Sequence, residues 1–342
     1  IRTILRSSVY QLKYMDHVPD SAVCNEAVKL AGKKGFVNLK GFVNGVLRNI
    51  SRNLDKVSYP DPSDEIACLS VRYSLPMWMV EKWISVYGKE TVEKMGKAFL
   101  EERPVTVRRN TAVVSEEEFE KELEKDGVVY RRHPVLPYAY ELTSYDYLAG
   151  LLAFQKGYFY IQDISSMQVA EWADPKEGDY VIDVCAAPGG KAIHLAEKLS
   201  GTGYVEARDL TDYKVALIEE NIERSGLDNI GAVCQDATIN DEASYEKADI
   251  VIADLPCSGL GILGKKPDLK SKMTVEMMKG LAALQRQILT VVHNYVKPGG
   301  KLLYSTCTIN REENEDNTAW FVENFPEFEK IREKQMLPGS DM

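Results

Sequence analysis

Apolar residues recur at intervals of three and four along the first fifty positions, which is the spacing of a helix that buries one face. Polar and basic residues lie between them and suit the solvent side of such a helix. A cluster of Pro, Asp and Ser at 59–64 interrupts the pattern and predicts a boundary. We therefore expect a helical domain over residues 1–62. The periodic stretches are Ile4–Leu12, Asn25–Ala31 and Leu39–Leu47.

Both helical and strand periodicities occur in the following hundred residues. Helical spacing predicts two helices within residues 75–100. A charged helix is predicted over 115–125, and segments that alternate like strands flank it at 104–108 and 127–130. This mixture predicts a small α+β module over residues 63–160.

From about residue 160 onward, short apolar runs alternate regularly with amphipathic helices. Strands joined by helices form an open, mostly parallel sheet with helices on both faces. In such sheets, ligands bind beyond the carboxyl ends of the strands, so we look for chemistry in the loops there. The predicted strands are 180–184, 203–208, 230–234, 249–253 and 301–305. The predicted helices are 191–199, 212–225, 274–295 and 312–324.

The composition narrows the class of protein. With 44% hydrophobic and 27% charged residues, the chain of 342 residues has the balance of a folded globular protein, which excludes disordered and collagen-like chains. No apolar run reaches about 18 residues, so we expect no membrane-spanning helix. The six cysteines form no CxxC pair and no zinc-type spacing, which predicts reduced thiols in a cytoplasmic protein without a bound metal.

Charge is distributed unevenly along the chain. The net charge of −10 argues against a nucleic-acid partner at first sight. Residues 1–56, however, contain ten Lys or Arg and four Asp or Glu, which gives +6 and leaves −16 for the rest. A basic helical segment attached to an acidic body favours RNA binding. The alternative, a basic helix surface that is merely solvated, is equally consistent with charge alone.

The first predicted strand of the parallel sheet runs into DVCAAPGGK at residues 183–191, which we call the glycine loop. Small residues let a ligand approach the backbone, and the helix that follows offers free N–H groups. Ala192 stands where a phosphate-binding Walker loop has Ser or Thr, and the GxGxxG spacing is absent. Taken alone, the glycine loop is weak evidence for a ligand site, because a tight connection between a strand and a helix has the same pattern.

Two acidic residues change that interpretation. Asp209 ends the second predicted strand, where a doubly wound fold holds a carboxylate against ribose hydroxyls, and Asp236 follows the third, near the position of an adenine. Each alone is more typical of a helix cap or a turn. Together with the glycine loop, they predict a ligand that contains adenosine.

Cysteines follow the last two predicted strands, in DLPCSGLG at 254–261 and YSTCT at 304–308. A cysteine taken at random is more often a small buried hydrophobic residue. These two lie at strand ends that face ligands, and neighbouring strands are about 5 Å apart. If the two strands are neighbours, Cys257, Cys307 and Asp254 converge beside the adenosine site.

The segments DVCAAPGGK, DLPCSGLG and YSTCT, in this order and spacing, resemble those of the RNA cytosine-5 methyltransferases of the Sun, or RsmB-like, family. The likeness covers essentially the whole chain. LKGFVNGVLR at 39–48 resembles the later half of the NusB-like domain fused to the bacterial 16S rRNA enzyme, an extension that relatives acting on tRNA or large-subunit rRNA do not share. Compared with that family, the chain is expected to lack the first half of the helical domain and the final strand.

The resemblance implies a Rossmann-like, S-adenosylmethionine-dependent methyltransferase domain over 161–342, preceded by a partial all-α NusB-like domain and the α+β module. It also implies methyl transfer from that cofactor to C5 of a cytosine in 16S rRNA. Cys307 is then the nucleophile that attacks C6, Cys257 assists product release, and Asp254 contacts the cytosine edge and assists proton transfer. The residues implied to bind the cofactor are Cys185, Ala186, Ala187, Pro188, Gly189, Gly190, Lys191, Asp209, Asp236 and Asp254.

Two other functions stay open on the sequence. The first is the same reaction on tRNA or another RNA, which the NusB-like segment disfavours. The second, of a different class, is a non-catalytic NusB-like RNA-binding protein that inherited a methyltransferase fold. The presence of both cysteines and of the glycine loop disfavours it. We expect 16S rRNA as the partner, and a monomer that binds neither metal nor membrane.

Overall fold

The computed structural model describes residues 1–340, which form two compact units, 1–74 and the remainder from Leu75 onward. The first unit is all helical, and the three helices predicted there are confirmed. A fourth helix follows the segment that breaks the pattern. The helices are α1 (Arg2–Tyr14), α2 (Asp20–Lys33), α3 (Lys40–Arg52) and α4 (Glu65–Tyr73).

Helix α4 was not predicted, because the Pro- and Asp-rich segment before it indicates a loop. Part of that segment caps the helix: the Asp64 carboxylate accepts a hydrogen bond from the backbone N–H of Ala67 at 3.0 Å. The core of this unit lies among the first three helices, where Ala31, Val43 and Leu47 are fully buried. The predicted domain limits at residues 62 and 160 remain a prediction.

The second unit opens with helices and a small antiparallel sheet. Its elements are α5 (Met77–Tyr87), α6 (Lys89–Ala98), β1 (Val105–Arg109), α7 (Glu116–Lys125), β2 (Val129–Arg132), β3 (Ala139–Ser144), α8 (Leu152–Gln155) and β4 (Phe159–Ile161). The strands lie in the order β2-β3-β1-β4. Phe119 of α7 packs edge-on against Tyr140 of β3, with the ring centroids 5.0 Å apart. The predicted α+β module is confirmed.

Two strands of this sheet, β3 and β4, were missed by the sequence analysis. Strand β3 is central and pairs with both β1 and β2. Its residues Tyr140, Glu141, Leu142 and Thr143 alternate between buried and more exposed positions, which is the pattern of a strand that the sequence analysis did not recognise. Strand β4 has three residues, too few for a period of two to be recognised. Strand β4 is therefore defined by its pairing with β1 rather than by local pattern.

The rest of the second unit is a parallel sheet flanked by helices. Its elements are α9 (Ile164–Ala173), β5 (Tyr180–Asp183), α10 (Gly190–Lys198), β6 (Tyr204–Asp209), α11 (Asp212–Ser225), β7 (Ile230–Cys234), β8 (Ala248–Asp254), α12 (Leu269–Lys272), α13 (Val275–Val292), β9 (Val296–Ser305) and α14 (Glu315–Asn324). The strands lie in the order β7-β6-β5-β8-β9, and every pair is parallel. The predicted doubly wound sheet is confirmed.

Successive residues of the central strand β5 face opposite sides of the sheet. Val181 lies in a core with residues of α10 and α11, and Ile182 lies in a core with residues of α13 and α14. Both side chains are fully buried. Helices therefore cover both faces, and the carboxyl ends of the strands are left to carry the loops. Within residues 1–340, no helix is long and apolar enough to cross a membrane.

The predicted ends of three elements near the carboxyl terminus were wrong. Strand β9 begins at Val296 rather than at residue 301, because the segment 298–300 lies inside the strand as an irregularity of its pairing. Pro298 has no N–H and Gly299 has φ +80, so both interrupt the ladder and indicate a turn in the sequence. Helix α13 ends three residues earlier than predicted and α14 begins three residues later, since 3₁₀ turns occupy 293–295 and 311–313.

Candidate active site

The glycine loop connects β5 to α10 at the carboxyl edge of the sheet. Gly189 has φ +106, a conformation that strains any residue with a side chain, and its N–H donates to Ala186 O at 2.6 Å. The N–H of Ala186 in turn donates to Arg208 O of β6 at 2.8 Å. The loop is therefore held against the neighbouring strand, with the amino terminus of α10 directly after it.

Asp209, at the end of β6, is buried against this loop. One oxygen accepts from the N–H of Ala187 at 3.0 Å. The other accepts from the N–H of Leu210 and lies 2.8 Å from Lys214 Nζ. The structure thus places Asp209 beside the glycine loop, as expected, and shows that it also fixes the loop's backbone.

Asp236 follows β7, as predicted, and takes part in a local turn. Its Oδ1 accepts from the N–H and the hydroxyl of Thr238, at 2.8 and 2.7 Å. These two hydrogen bonds hold the pKa of Asp236 below its usual range. None of its hydrogen bonds joins it to the glycine loop in the part of the chain described. A contact of Asp236 with the cofactor remains a prediction.

A second buried carboxylate, Asp183, lies under the loop and was not among the predicted site residues. Its Oδ1 accepts from the N–H of Cys185 at 3.3 Å, and its Oδ2 is buried without a hydrogen-bond partner. Burial, together with the nearby charge of Asp254, raises the pKa of Asp183 to about 7. Burial also raises the pKa of the Cys185 thiol far above its usual range, so this thiol is neutral.

These residues fit S-adenosylmethionine, the cofactor implied by the resemblance. The cofactor carries a sulfonium cation, and the loop is surrounded by the carboxylates of Asp183, Asp209 and Asp254. The unpartnered oxygen of Asp183 is an acceptor that the protein itself does not satisfy. The glycine loop and the first turn of α10 would hold the cofactor, with the unpaired carboxyl group of Asp183 beneath it.

Strands β8 and β9 are neighbours, and their ends carry the remaining predicted residues. Asp254 pairs in register with Ser305, whose hydroxyl donates to Asp254 Oδ1 at 2.7 Å. Lys191, in the first turn of α10, lies 2.6 Å from the other oxygen of Asp254. Both partners orient the carboxylate, and Lys191 ties it to the glycine loop.

The thiol pair, Cys257 and Cys307, lies just beyond these strand ends. The two sulfur atoms are 3.2 Å apart, and the N–H of Cys307 donates to Cys257 Sγ at 3.3 Å. Either thiol can donate to the other, and Cys257 must donate when Cys307 is ionised; this hydrogen bond lowers the pKa of Cys307, and the charges of Lys191 and Lys266 act in the same direction. The same hydrogen bond, and then burial, raise the pKa of Cys257 far above its usual range. Cys307 is exposed, so the more acidic thiol is also the more accessible one.

The structure thus brings Lys191, Asp254, Cys257 and Cys307 together, and their chemical roles remain predictions. It also shows a buried polar residue that the sequence analysis missed, Glu313, which binds the loop behind Cys257. The run NREENEDN around it is typical of a solvated helix start, so local pattern gave no signal of burial. Within residues 1–340, no three His, Cys, Asp or Glu side chains are grouped so as to hold a metal ion.

Comparison with known families divides the chain into three matched segments. A profile of the 16S rRNA methyltransferases RsmB/F matches residues 170–338. A profile of the NusB family matches residues 1–52. A profile of the ferredoxin-like domain of RsmF/B-like methyltransferases matches residues 75–145.

Individual proteins match over most of the chain. The probable ribosomal RNA small subunit methyltransferase B of Bacillus subtilis is 38% identical over 327 residues, which cover 95% of this chain and 73% of that protein. The ribosomal RNA small subunit methyltransferase B of Escherichia coli O6:H1 is 27% identical over 348 residues, covering 100% of this chain and 79% of that protein.

Two solved structures are also similar. The structure of PH0851 superposes with a TM-score of 0.84 at 28% identity, over 99% of this chain and 77% of that one. The structure of NSun6 from Pyrococcus horikoshii with SFG, an analogue of S-adenosylmethionine, gives a TM-score of 0.64 at 26% identity, over 71% of this chain and 86% of that one. The chain therefore belongs to the family of ribosomal RNA small subunit methyltransferase B, whose methyl donor is S-adenosylmethionine.

Proposed function

We propose that this chain methylates C5 of a cytosine in 16S rRNA and that Cys307 is bonded covalently to C6 during the reaction. The observation that carries the proposal is the thiol pair beside Asp254: an exposed thiol of lowered pKa, 3.2 Å from a second thiol that donates to it. Cys307 is exposed, whereas a cysteine that only packs in a core is buried.

The substrate's chemistry explains why a nucleophilic thiolate is needed. C5 of cytosine is a poor nucleophile, and a group added at C6 makes it an enamine carbon. The Cys307 sulfur forms the bond to C6, and the electron pair of the C5–C6 double bond moves to C5. S-adenosylmethionine supplies an electrophilic methyl group on its sulfonium. C5 takes up that methyl group, and the sulfur that carried it is left as a thioether. The C5 proton then passes to water, its electron pair re-forms the C5–C6 double bond, and Cys307 leaves C6 as a thiolate.

Asp254 is proposed to hold the N3/N4 edge of the cytosine and to assist protonation there while Cys307 adds. Its two oxygens accept from Ser305 and pair with Lys191, which fixes the plane of the carboxylate. A carboxylate has about four acceptor sites, so these two partners leave room for the base.

Cys257 is proposed to assist release of the product. Its raised pKa keeps the thiol protonated, and its hydrogen bond to the Cys307 sulfur stabilises the thiolate that leaves C6. Without that donor, the covalent bond between enzyme and RNA should persist after methyl transfer.

The assignment to 16S rRNA is supported by the names of the relatives and by the basic first unit. A groove between α2 and α3 is lined by Lys29, Lys40, Asn44 and Arg48. Cations in such a groove attract phosphates without reading sequence. The target base must also be unstacked before it can reach the thiol pair.

The test is methyl transfer to purified 16S rRNA, followed by bisulfite sequencing, in which 5-methylcytosine resists deamination. We expect one protected cytosine, which is lost with Cys307→Ala and kept with Cys68→Ala, a change of a cysteine in the first unit. Methylation of a tRNA mixture but not of 16S rRNA would overturn the substrate assignment, and full activity of Cys307→Ala would overturn the chemistry.

A further inference from the structure

Glu313 is completely buried in the 3₁₀ turn before α14, where a charged residue is costly unless its oxygens are satisfied. Here both are. Within residues 1–340, no Lys or Arg forms an ion pair with this carboxylate, so hydrogen bonds alone hold it. The donors are the Ser258 N–H (2.9 Å), the Ser258 hydroxyl, Gln285 Nε2 (3.1 Å) and Asn310 Nδ2 (3.0 Å).

These donors connect Glu313 to the thiol pair. Ser258 follows Cys257, and Thr308 follows Cys307, so each hydroxyl lies one residue away from a reacting sulfur. The two hydroxyl oxygens are 2.7 Å apart and are both buried. The loops that carry the two cysteines are therefore joined behind the sulfur atoms as well, in addition to the hydrogen bond from the Gly261 N–H to Cys307 O at 3.1 Å.

The charge of Glu313 fixes the direction of that contact. An ionised carboxylate only accepts hydrogen bonds, so the Ser258 hydroxyl must donate to it. The Ser258 oxygen is then free to accept, and the Thr308 hydroxyl donates to it. Thr308 Oγ1 in turn accepts from the N–H of Asn310 at 3.2 Å. A single chain of hydrogen bonds thus runs from the loop of Cys307 through the loop of Cys257 to Glu313.

We propose that Glu313 is a positioning residue for the thiol pair: its carboxylate anchors Ser258 and, through Thr308, sets the separation of the Cys257 and Cys307 sulfur atoms. This inference rests on the proposed function in that the thiol pair is taken as the reacting centre. A hydrogen bond between thiols weakens steeply with separation, so a small shift of the Cys257 loop removes the donor that stabilises the Cys307 thiolate.

Glu313→Gln tests the proposal with little change in shape. The amide puts an NH₂ group in place of one oxygen: facing the Ser258 N–H it leaves that donor unpaired, and facing the Ser258 hydroxyl it reverses that hydrogen bond and the one from Thr308. Glu312→Gln is the matched control: the adjacent residue, of the same type, is partly exposed and paired with Lys82 at 3.2 Å. Thr308→Val is a second variant, which removes only the hydroxyl between the two loops.

Two thiol measurements report the spacing and do not depend on methylation. The first is the pH profile of Cys307 alkylation by iodoacetamide, followed on its peptide by mass spectrometry. The second is the rate at which diamide oxidises the thiol pair: both thiols lose their protons, one sulfur–sulfur bond forms, and the azo group is reduced to a hydrazine. For Glu313→Gln we expect the alkylation profile to move to higher pH and disulfide formation to slow.

In methylation assays, Glu313→Gln should lower kcat by about ten- to a hundredfold, the usual effect of small misplacements, and leave the KM for S-adenosylmethionine unchanged. Thr308→Val should shift all three readouts in the same direction by less, and Glu312→Gln should shift none.

A wild-type alkylation profile and a wild-type oxidation rate in folded Glu313→Gln would overturn the proposal, even if the stability of that variant fell. If Glu313→Gln does not fold, a wild-type profile in Thr308→Val overturns it instead. Failure of the proposed function is distinct, since Cys307→Ala would then still methylate.

Discussion

Lys191 Nζ lies 2.6 Å from Asp254 Oδ2, and this ion pair joins the two halves of the site. Lys191 belongs to the helix that follows the glycine loop, and Asp254 ends the strand that precedes Cys257. Lys191 therefore orients the carboxylate beside the thiol pair. Its charge also helps to lower the pKa of Cys307.

Replacing Lys191 should disturb both halves at once. In Lys191→Met, the carboxylate loses its charged partner, at a cost of about 1–3 kcal/mol in the free energy of unfolding. Cys307 should become less acidic, so its alkylation by iodoacetamide moves to higher pH. Lys198→Met is the control, because Lys198 lies at the other end of the same helix and pairs with Glu171 at 2.9 Å. An identical alkylation profile in the two variants would contradict this role of Lys191.

Gly189 should be needed for the cofactor as well as for folding. An alanine at φ +106 is strained by about 1–2 kcal/mol, and its Cβ would lie 3.3 Å from Ile193. Gly201→Ala carries similar strain at φ +77, with no atom within 4 Å of the added Cβ, and lies outside the loop. Both variants should lose stability, and calorimetry should show weaker S-adenosylmethionine binding only for Gly189→Ala. If the two variants bind S-adenosylmethionine with equal affinity, Gly189 is not needed for cofactor binding.

The buried carboxyl of Asp183 should make stability depend on pH. Its pKa rises from the ordinary 3.8 to about 7 in the folded protein, so the folded state keeps a proton that the unfolded chain has lost. Stability should therefore fall as pH rises between about 4 and 7, by at most about 4 kcal/mol. Asp183→Asn should remove this fall. The free energy of unfolding is measured in urea at pH 5 and pH 8 for the wild type and for Asp183→Asn. If the two proteins differ by the same amount at both pH values, the raised pKa of Asp183 is contradicted.

The basic first unit should determine how RNA affinity responds to salt. Lys33, Lys34 and Lys40 are exposed, and changing all three to Gln should flatten the plot of log K against log salt, by about 0.9 for each phosphate that is no longer neutralised. Changing the exposed Lys94, Lys97 and Lys121 of the second unit should leave the slope as it is. An unchanged slope in the first triple variant would mean that its lysines are only solvated.

Local pattern was sufficient for most of the fold because the parallel sheet is built from sequence-adjacent strands and helices. Val181 and Ile182 illustrate this: a run buried on both faces can only be a central strand. Strand β4 could not be recognised, because three residues are too few for a period of two and its pairing with β1 defines it. In the site, Asp254 and Cys307 were expected to meet if their two strands were neighbours, and β8 and β9 are neighbours. Glu313 could not be predicted, since its burial depends on donors 55 residues away in the chain.

The two cysteines provide the most direct test of covalent catalysis. Each of Cys257→Ala and Cys307→Ala is incubated with S-adenosylmethionine and 16S rRNA and run on a denaturing gel. Cys257→Ala should still form the bond to C6 and transfer methyl but fail to release, and so should give an RNA-shifted band that survives denaturation. Cys307→Ala should give neither methylation nor a shifted band. A shifted band with Cys307→Ala alone, or two variants that both remain active without one, would contradict the account.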